Sequence, residues 1–299
     1  MQAQPAPICL AAWLAFTSLS FACHKSDNAT APQANEPPPT AIATQQSEPT
    51  MTMPKIKAHR GASARAPENT VIAVKLAFEA MADGAEVDVH ISKDGIPVVI
   101  HDEDTERVAG HKALVSEQTL AELKALDVGS WKSPEFAGEQ IPTLQEVLAL
   151  VPAGKTLFVE IKADPSAVPI VLKTIAEAKS AGTIAVESFS LDVLEAVGTA
   201  APTLGRHWTI IAKEDPKNPD VLLPHDVSLV AQAKKLGLDG LSVDGRGLRN
   251  GFADAAAAAR LELAVWTIDH IAIARALSTL PITWIETNEP EKIKNGLTQ

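Results

Sequence analysis

Residues 85–102 read Ala-Glu-Val-Asp-Val-His-Ile-Ser-Lys-Asp-Gly-Ile-Pro-Val-Val-Ile-His-Asp. Val87, Val89 and Ile91 alternate with Glu86, Asp88 and His90. Side chains two apart in a strand share a face, so this period predicts a strand over Ala85-Ile91, carboxylates on one side and valines on the other. A second run, Pro97-His101, follows after only Ser92-Lys93-Asp94-Gly95-Ile96. That link is too short for a helical crossover, which needs about a dozen residues. Asp94-Gly95 is a turn signal. The expectation is a hairpin, or a barrel step lacking its helix.

Outward from this stretch, short apolar runs alternate with helical ones. Strands are expected at Ile56-Ala58, Thr156-Lys162, Thr183-Phe189, Arg206-Ile211, Leu238-Val243, Leu263-Ile268 and Ile282-Glu286. Helices are expected at Thr70-Ala82, Ala167-Ser180, Ser190-Ala200, Val227-Leu236, Leu248-Arg260 and Ile271-Leu280. Repeated β–α units with apolar strands imply a parallel sheet covered by helices on both faces. About eight units over residues 55–299 fit an α/β fold of the TIM (β/α)8 type better than an open sheet. Residues 102–154 are long for one connection. They are read as an inserted subdomain over the barrel mouth, with short helices near Gln118-Leu126 and Thr143-Val151.

Residues before Lys55 read differently. Pro7 to Ala22 is a mostly apolar run, too short and too rich in Ser and Thr for a spanning helix. It reads as the apolar part of an export signal, residues 1–23. Cys23 follows Ala22, with Leu19 four residues back, which resembles a bacterial lipoprotein signal whose cysteine is acylated after cleavage. Simple secretion is the rival. Residues 24–54 are rich in Pro, Thr, Gln, Asn and Ser, including Pro37-Pro38-Pro39, and are read as a disordered tether. The expected location is therefore outside the cytoplasm, periplasmic or at the cell surface, with membrane attachment only through Cys23.

The formal net charge is -11, which argues against a nucleic-acid partner and against adsorption to anionic membranes. Only two cysteines occur, Cys9 and Cys23. Residues 55–299 therefore hold no disulfide, zinc–thiolate site or cysteine nucleophile.

Glu86 and Asp88 share one face of their strand, and Glu160 and Lys162 share one face of theirs. Inward carboxylates in apolar strands are costly unless neutralised. Three convergent carboxylates without matching cations point to a divalent metal, and oxygen donors suit Ca2+, Mg2+ or Mn2+ over zinc. Edge-strand exposure or internal ion pairing are the alternatives. His59-Arg60-Gly61 follows the first strand, and His101-Asp102 ends the run Pro97-Ile100. Both histidines sit where a strand gives way to a loop, the face on which barrel enzymes place catalysis. One imidazole can accept a proton and the other donate one. Arg60 and Lys162 can hold phosphate oxygens. His111, His207, His225 and His270 have no such context and are read as surface residues.

His59-Arg60-Gly61, Pro67-Glu68-Asn69-Thr70, Glu86-Val87-Asp88-Val89, Lys93-Asp94-Gly95 and Val98-Val99-Ile100-His101-Asp102 together resemble the glycerophosphodiester phosphodiesterase family. Glu160-Ile161-Lys162, Glu187-Ser188-Phe189 and Val265-Trp266-Thr267 continue the pattern in order, so the resemblance spans Lys55 to Lys294. It implies metal-dependent hydrolysis of a small glycerophosphodiester to an alcohol and glycerol 3-phosphate, with Ca2+ or Mg2+ as cofactor. It implies metal binding by Glu86, Asp88 and Glu160, and an acid–base pair of His59 and His101. It implies phosphate binding by Arg60 and Lys162, support from Glu68 and Asn69, and a pocket wall at Trp266. It further implies that a glycerol hydroxyl attacks phosphorus first, giving a cyclic phosphate that water opens. The chain departs from the pattern at Thr287-Asn288-Glu289-Pro290, where Thr-Asp is usual, and at Asp269, where Asn is usual. The strand around His207-Trp208 is also unusual. These departures bear on leaving-group specificity.

Rival readings are a lysophospholipase D or sphingomyelinase D-like lipid phosphodiesterase, a non-catalytic surface lipoprotein, and an unrelated metal-dependent barrel isomerase or aldolase. An apolar groove under residues 102–154 would favour the first. A binding relic has no need of His59, His101, Glu86, Asp88 and Glu160 together, which weighs against the second. Fold alone does not decide the third.

Overall fold

The computed structural model describes residues 53–299. The expected signal segment, Cys23 and residues 24–52 of the expected tether lie outside the described residues.

Among the described residues eleven strands occur in order: β1 Lys55–Ala58, β2 Gly84–Ile91, β3 Pro97–Val99, β4 Thr156–Ile161, β5 Thr183–Ser188, β6 Gly205–Ile210, β7 Glu214–Asp215, β8 Asn218–Leu222, β9 Gly240–Asp244, β10 Glu262–Trp266 and β11 Trp284–Thr287. Eight of them pair in parallel in the order β1, β11, β10, β9, β6, β5, β4, β2. β1 pairs with both β11 and β2, which closes the barrel. The fold is a TIM barrel. β3 is antiparallel to β2, with Val89 opposite Val99 and Ile91 opposite Pro97, so the stretch 85–101 is a hairpin grafted on the barrel. β7 and β8 form a separate small hairpin in the loop after β6.

The period of two divides the barrel as the sequence requires. Ile56, Ala58, Val87, Val89, Leu157, Val159, Val186, Leu241, Val243, Leu263, Val265 and Ile285 face outward and are buried under helices. Phe158, Ala185, Ala264 and Trp284 form a smaller apolar cluster of inward positions. Phe158 meets Trp284 and His207 edge-on, at 5.0 and 5.3 Å between ring centres. His207 is therefore not a surface residue: burial, and then the charge of Lys57, push it down to about 3, so it stays neutral. His225 is buried too, its Nε2 2.8 Å from the Asp244 carbonyl. His111 and His270 are exposed.

Helix α1 (Val71–Glu79) starts where Thr70 caps it, the hydroxyl accepting from the Ala73 amide. After the single-turn helix α2 (Glu106–Ala109), two short helices, α3 (Leu120–Lys124) and α4 (Leu144–Leu148), carry full capping boxes, Thr119 with Glu122 and Thr143 with Glu146. A second apolar cluster of Val98, Ile100, Val108, Val115, Leu123, Val128 and Ile141 lies between β3 and the segment after it. α4 behaves differently: Leu144, Val147 and Leu148 join the main core, and the helix packs beside α1 and α5 (Val168–Ala178). It belongs to the outer ring of helices. A last helix, Pro290–Thr298, has proline in its first turn and was not among the sequence expectations.

Candidate active site

The C-terminal ends of β1, β2, β4 and β10, with the loop after β3, bring His59, Arg60, Asp88, His101, Glu160, Lys162 and Trp266 to one cleft of about 220 Å3. β1 runs directly into His59 and Arg60. Arg60 and Gly61 adopt left-handed backbone, φ 57° and 79°. At Gly61 a Cβ would stand 2.6 Å from the Ala73 carbonyl carbon, so only glycine lets the loop press on α1. The turn aims the Arg60 amide at Glu86 Oε2, 2.8 Å away. β2 presents Glu86 and Asp88, and Asp88 stands in register with Glu160 of β4. Asn69, also left-handed, clamps Asp88 twice: its Nδ2 donates to Oδ2 at 2.7 Å, and its Oδ1 accepts the Asp88 amide at 3.1 Å.

The carboxylates have Lys162 and Arg60 directly beside them, which corrects the expectation that no matching cluster of cations accompanies them. Lys162 Nζ lies 3.0 Å from Asp88 and 2.5 Å from Glu160, and Arg60 Nε lies 3.4 Å from Asp88. The reason is the same alternation: Lys162 shares the inward face with Glu160. Burial raises Asp88, but Lys162 and Arg60 outweigh it and hold it down at about 2. Glu86 is pushed well above the usual range, first by burial and then by the charges of Asp88, Glu286 and Glu160. Burial likewise raises Glu160, to about 7, against the pull of Lys162.

Sequence reasoning missed the layer that joins these groups. Lys57 is wholly buried, and its ammonium lies 2.7 Å from both Glu187 and Glu286. Lys57 precedes His59 by two and Glu187 precedes Phe189 by two, so the spacing that flagged Glu86 and Asp88 would have flagged both. The inward carboxylates are then Glu86, Asp88, Glu160, Glu187 and Glu286, against the cations Lys57, Arg60 and Lys162. With all five ionised, five against three would leave an excess of two negative charges, a state that burial makes costly and that the raised Glu86 and Glu160 avoid by keeping protons. Donor atoms of Glu86, Asp88 and Glu160 lie within 4.8 Å of one another. Glu86 Oε1 is buried and has no hydrogen-bond partner among the described residues. An excess of two charges, an unpaired buried oxygen and an all-oxygen donor set fit a hard divalent cation.

The two imidazoles are held differently. His59 Nδ1 lies 2.8 Å from Asn288 Oδ1. The Asn288 amide is oriented by Asp269, whose Oδ2 accepts from Nδ2 at 2.7 Å. Asp269 can only accept while ionised, so Asn288 turns Oδ1 to the ring and His59 carries its proton on Nδ1. The two departures noted in the sequence are thus partners in one chain of hydrogen bonds. His101 Nδ1 lies instead 2.6 Å from Asp102, which Arg107 holds at 2.6 Å. Arg107 also forks onto Glu68 at 2.8 and 2.9 Å, and Glu68 accepts from Arg60 at 2.7 Å. Glu68 therefore steadies Arg60 from the rim, and neither Asp102 nor Arg107 was flagged from sequence. Burial lowers His101, partly opposed by Asp88 and Asp102. Trp266 lines the cleft and meets Phe189 edge-on at 6.2 Å.

Residues 59–292 match the glycerophosphoryl diester phosphodiesterase family. A glycerophosphodiester phosphodiesterase of Caldanaerobacter subterraneus subsp. tengcongensis is 41% identical over 152 residues, covering 49% of this chain and 63% of that protein. One of Bacillus subtilis is 32% identical over 174 residues, covering 52% of this chain and 59% of that protein. The chain thus spans about three fifths of the length of these two curated relatives. The structure of an Oleispira antarctica phosphodiesterase in complex with the product sn-glycerol-3-phosphate matches with a TM-score of 0.73 and 26% identity, covering 83% of this chain and 98% of that one. The family match takes in both histidines, all three flagged carboxylates and every barrel strand after β1, and on it this chain belongs to the glycerophosphoryl diester phosphodiesterase family.

Proposed function

We propose that this chain hydrolyses glycerophosphodiesters to an alcohol and glycerol 3-phosphate, with a divalent cation held by Glu86, Asp88 and Glu160. The observation that carries this reading is the convergence of two imidazoles, two phosphate-competent cations and an over-charged carboxylate cluster on one cleft. Family membership and the product bound in the Oleispira antarctica relative support the substrate class.

Arg60 and Lys162 reach the phosphate with the hydrogens that Asp88, Glu68 and Glu160 leave free, and so stabilise the crowded charge of the transition state. His59, with its proton fixed on Nδ1, offers Nε2 to the attacking glycerol hydroxyl and takes its proton. His101, backed by Asp102, gives a proton to the departing alcohol oxygen. The O–P bond to glycerol forms as the O–P bond to the alcohol breaks, leaving a cyclic phosphate. Water then opens the ring with the two roles reversed. What a bound Ca2+ or Mg2+ supplies there is withdrawal of charge from the phosphoryl oxygens and a lower pKa for a coordinated hydroxyl. Trp266, Phe189 and Ile211 line the cleft, and the leaving group packs against them.

Phe189 and Ile211 are both exposed at the mouth, which favours a second reading: an alcohol with an apolar portion, as in a lysophospholipid. That wall stands on β5, β6 and β10 rather than under residues 102–154. Export and acylation at Cys23 remain part of the proposal on sequence grounds alone.

The test is hydrolysis of glycerophosphocholine, glycerophosphoethanolamine and lysophosphatidylcholine by the full chain, with EDTA and then with Ca2+ or Mg2+ restored. Release of glycerol 3-phosphate that EDTA stops and the ion restores is the expected result. Choline release from lysophosphatidylcholine alone would transfer the reading to the lipid substrate. Turnover of none of the three would overturn it.

A further inference from the structure

Lys57 lies below the proposed cation site and takes no part in the chemistry above. It projects from β1 on the same inward face as His59. Besides Glu187 and Glu286, its ammonium lies 3.4 Å from Ser242 Oγ and 4.5 Å from the centre of the Phe158 ring. A cation this deep persists only because charges of opposite sign surround it. Against the burial that would lower its pKa, Glu187 and Glu286 hold it charged.

Glu286 has a second set of neighbours. Donor atoms of His59, Glu86 and Glu286 also lie within 4.8 Å of one another. Glu86 is common to this set and to the set with Asp88 and Glu160, and its Oε1 accepts no hydrogen bond among the described residues. Two adjoining donor sets that share one carboxylate are the layout of a two-metal phosphodiester site. Here a positive charge of the chain's own already stands 2.7 Å from one of the three donors of the second set.

We propose that the Lys57 ammonium is a built-in second cation: by holding Glu286 and Glu187 it limits the cleft to one divalent ion, and without it His59, Glu86 and Glu286 close on another. The inference rests on the proposed single-ion site at Glu86, Asp88 and Glu160. It makes Lys57 a positioning residue, acting through Glu286.

The test counts Mn2+ bound per full-length chain by calorimetry and reads the ions by electron paramagnetic resonance. The unaltered protein takes up one ion with an uncoupled signal. Lys57→Met keeps the length of the side chain and removes its charge. It takes up two ions, with the exchange-coupled spectrum of neighbours, and adding Glu286→Gln returns the count to one. Glu286→Gln by itself keeps one ion, its affinity lowered by no more than about a hundredfold, the upper end of what losing an outer partner of a ligand costs. A single ion in Lys57→Met at saturating Mn2+ overturns the proposal. So does a loss of more than about a hundredfold in Mn2+ affinity in Glu286→Gln, which would make Glu286 a ligand of the first ion. If Lys57→Met does not fold, the Glu286→Gln measurement decides. An unaltered chain that binds no Mn2+ fails at the earlier step, the metal reading itself, and takes this inference with it.

Discussion

His59 and His101 sit on opposite kinds of support, an amide for one and a carboxylate for the other. Replacing either by alanine removes a proton-transfer group, so turnover falls by about 10²–10⁴-fold while calorimetric Ca2+ binding persists. A variant at the unaltered rate would remove that histidine from the mechanism. Asn288→Leu tests the support rather than the base. It leaves His59 in place but takes away the acceptor for its Nδ1 proton. The expected loss is about 10–100-fold in kcat with KM little changed, and the His59 ring nitrogens should lose their single tautomer in the NMR spectrum. Unchanged kcat would mean that the ring is oriented by something else. His59, His101, Glu86, Asp88 and Glu160 were legible because each sits inside a short motif or an i, i+2 pair. Asn288 stood out only as a departure from the family pattern; its contact with His59 was not legible, since the two lie 229 residues apart and nothing local marks it.

Strands and helices were read well where a long period supported them. β2 and β4 differ from expectation by a residue at one end, and α5 and α6 (Leu191–Ala200) by one or two. What escaped were elements poor in apolar residues. The final helix buries only Pro290 and Ile293, and β7 and β8 are a short, largely exposed hairpin. The loop between β1 and α1 shows what an element boundary controls. Gly61→Ala puts a methyl group against Ala73 and forces a positive φ on alanine. It should destabilise the fold by about 1–3 kcal/mol, read as a lower urea midpoint at unchanged m. Because Arg60 and His59 ride on the same turn, activity should fall further than stability. Equal activity in a stable variant would show that the turn does not set their positions.

The acid-rich barrel interior gives the whole molecule a pH dependence with a definite sign. Glu160 and Glu187 have folded values raised to about 7 and about 8, above the ordinary 4.5. Burial is the first cause for both, set against Lys162 for Glu160 and Lys57 for Glu187. A carboxyl with a raised value binds its proton more tightly when folded, so the stability it lends is lost as pH climbs from about 4.5 to 8. Asp88, held at about 2, works the other way and loses its contribution only as pH falls from 3.8 through 2. In EDTA the melting temperature should therefore peak near pH 5 and decline toward pH 8. Saturating Ca2+ should flatten that decline, because a bound cation replaces the protons, and binding at pH 7 should release protons into the buffer. A melting curve that rises from pH 5 to 8 in EDTA would contradict this charge arrangement.

Residues 55–299 alone determined the barrel, the hairpin at 85–101, and the inward facing of Glu86, Asp88, Glu160 and Lys162. These follow from periods of two and 3.6 and from turn chemistry, which are local properties of the chain. Closure of the ring decided the rest. It set Lys57 beside Glu187 and Glu286, turned Asn288 toward His59, and buried His207 against Phe158. Each pairing joins strands or strand ends far apart in sequence, so its distance is fixed by parallel register around the barrel and not by any spacing along the chain.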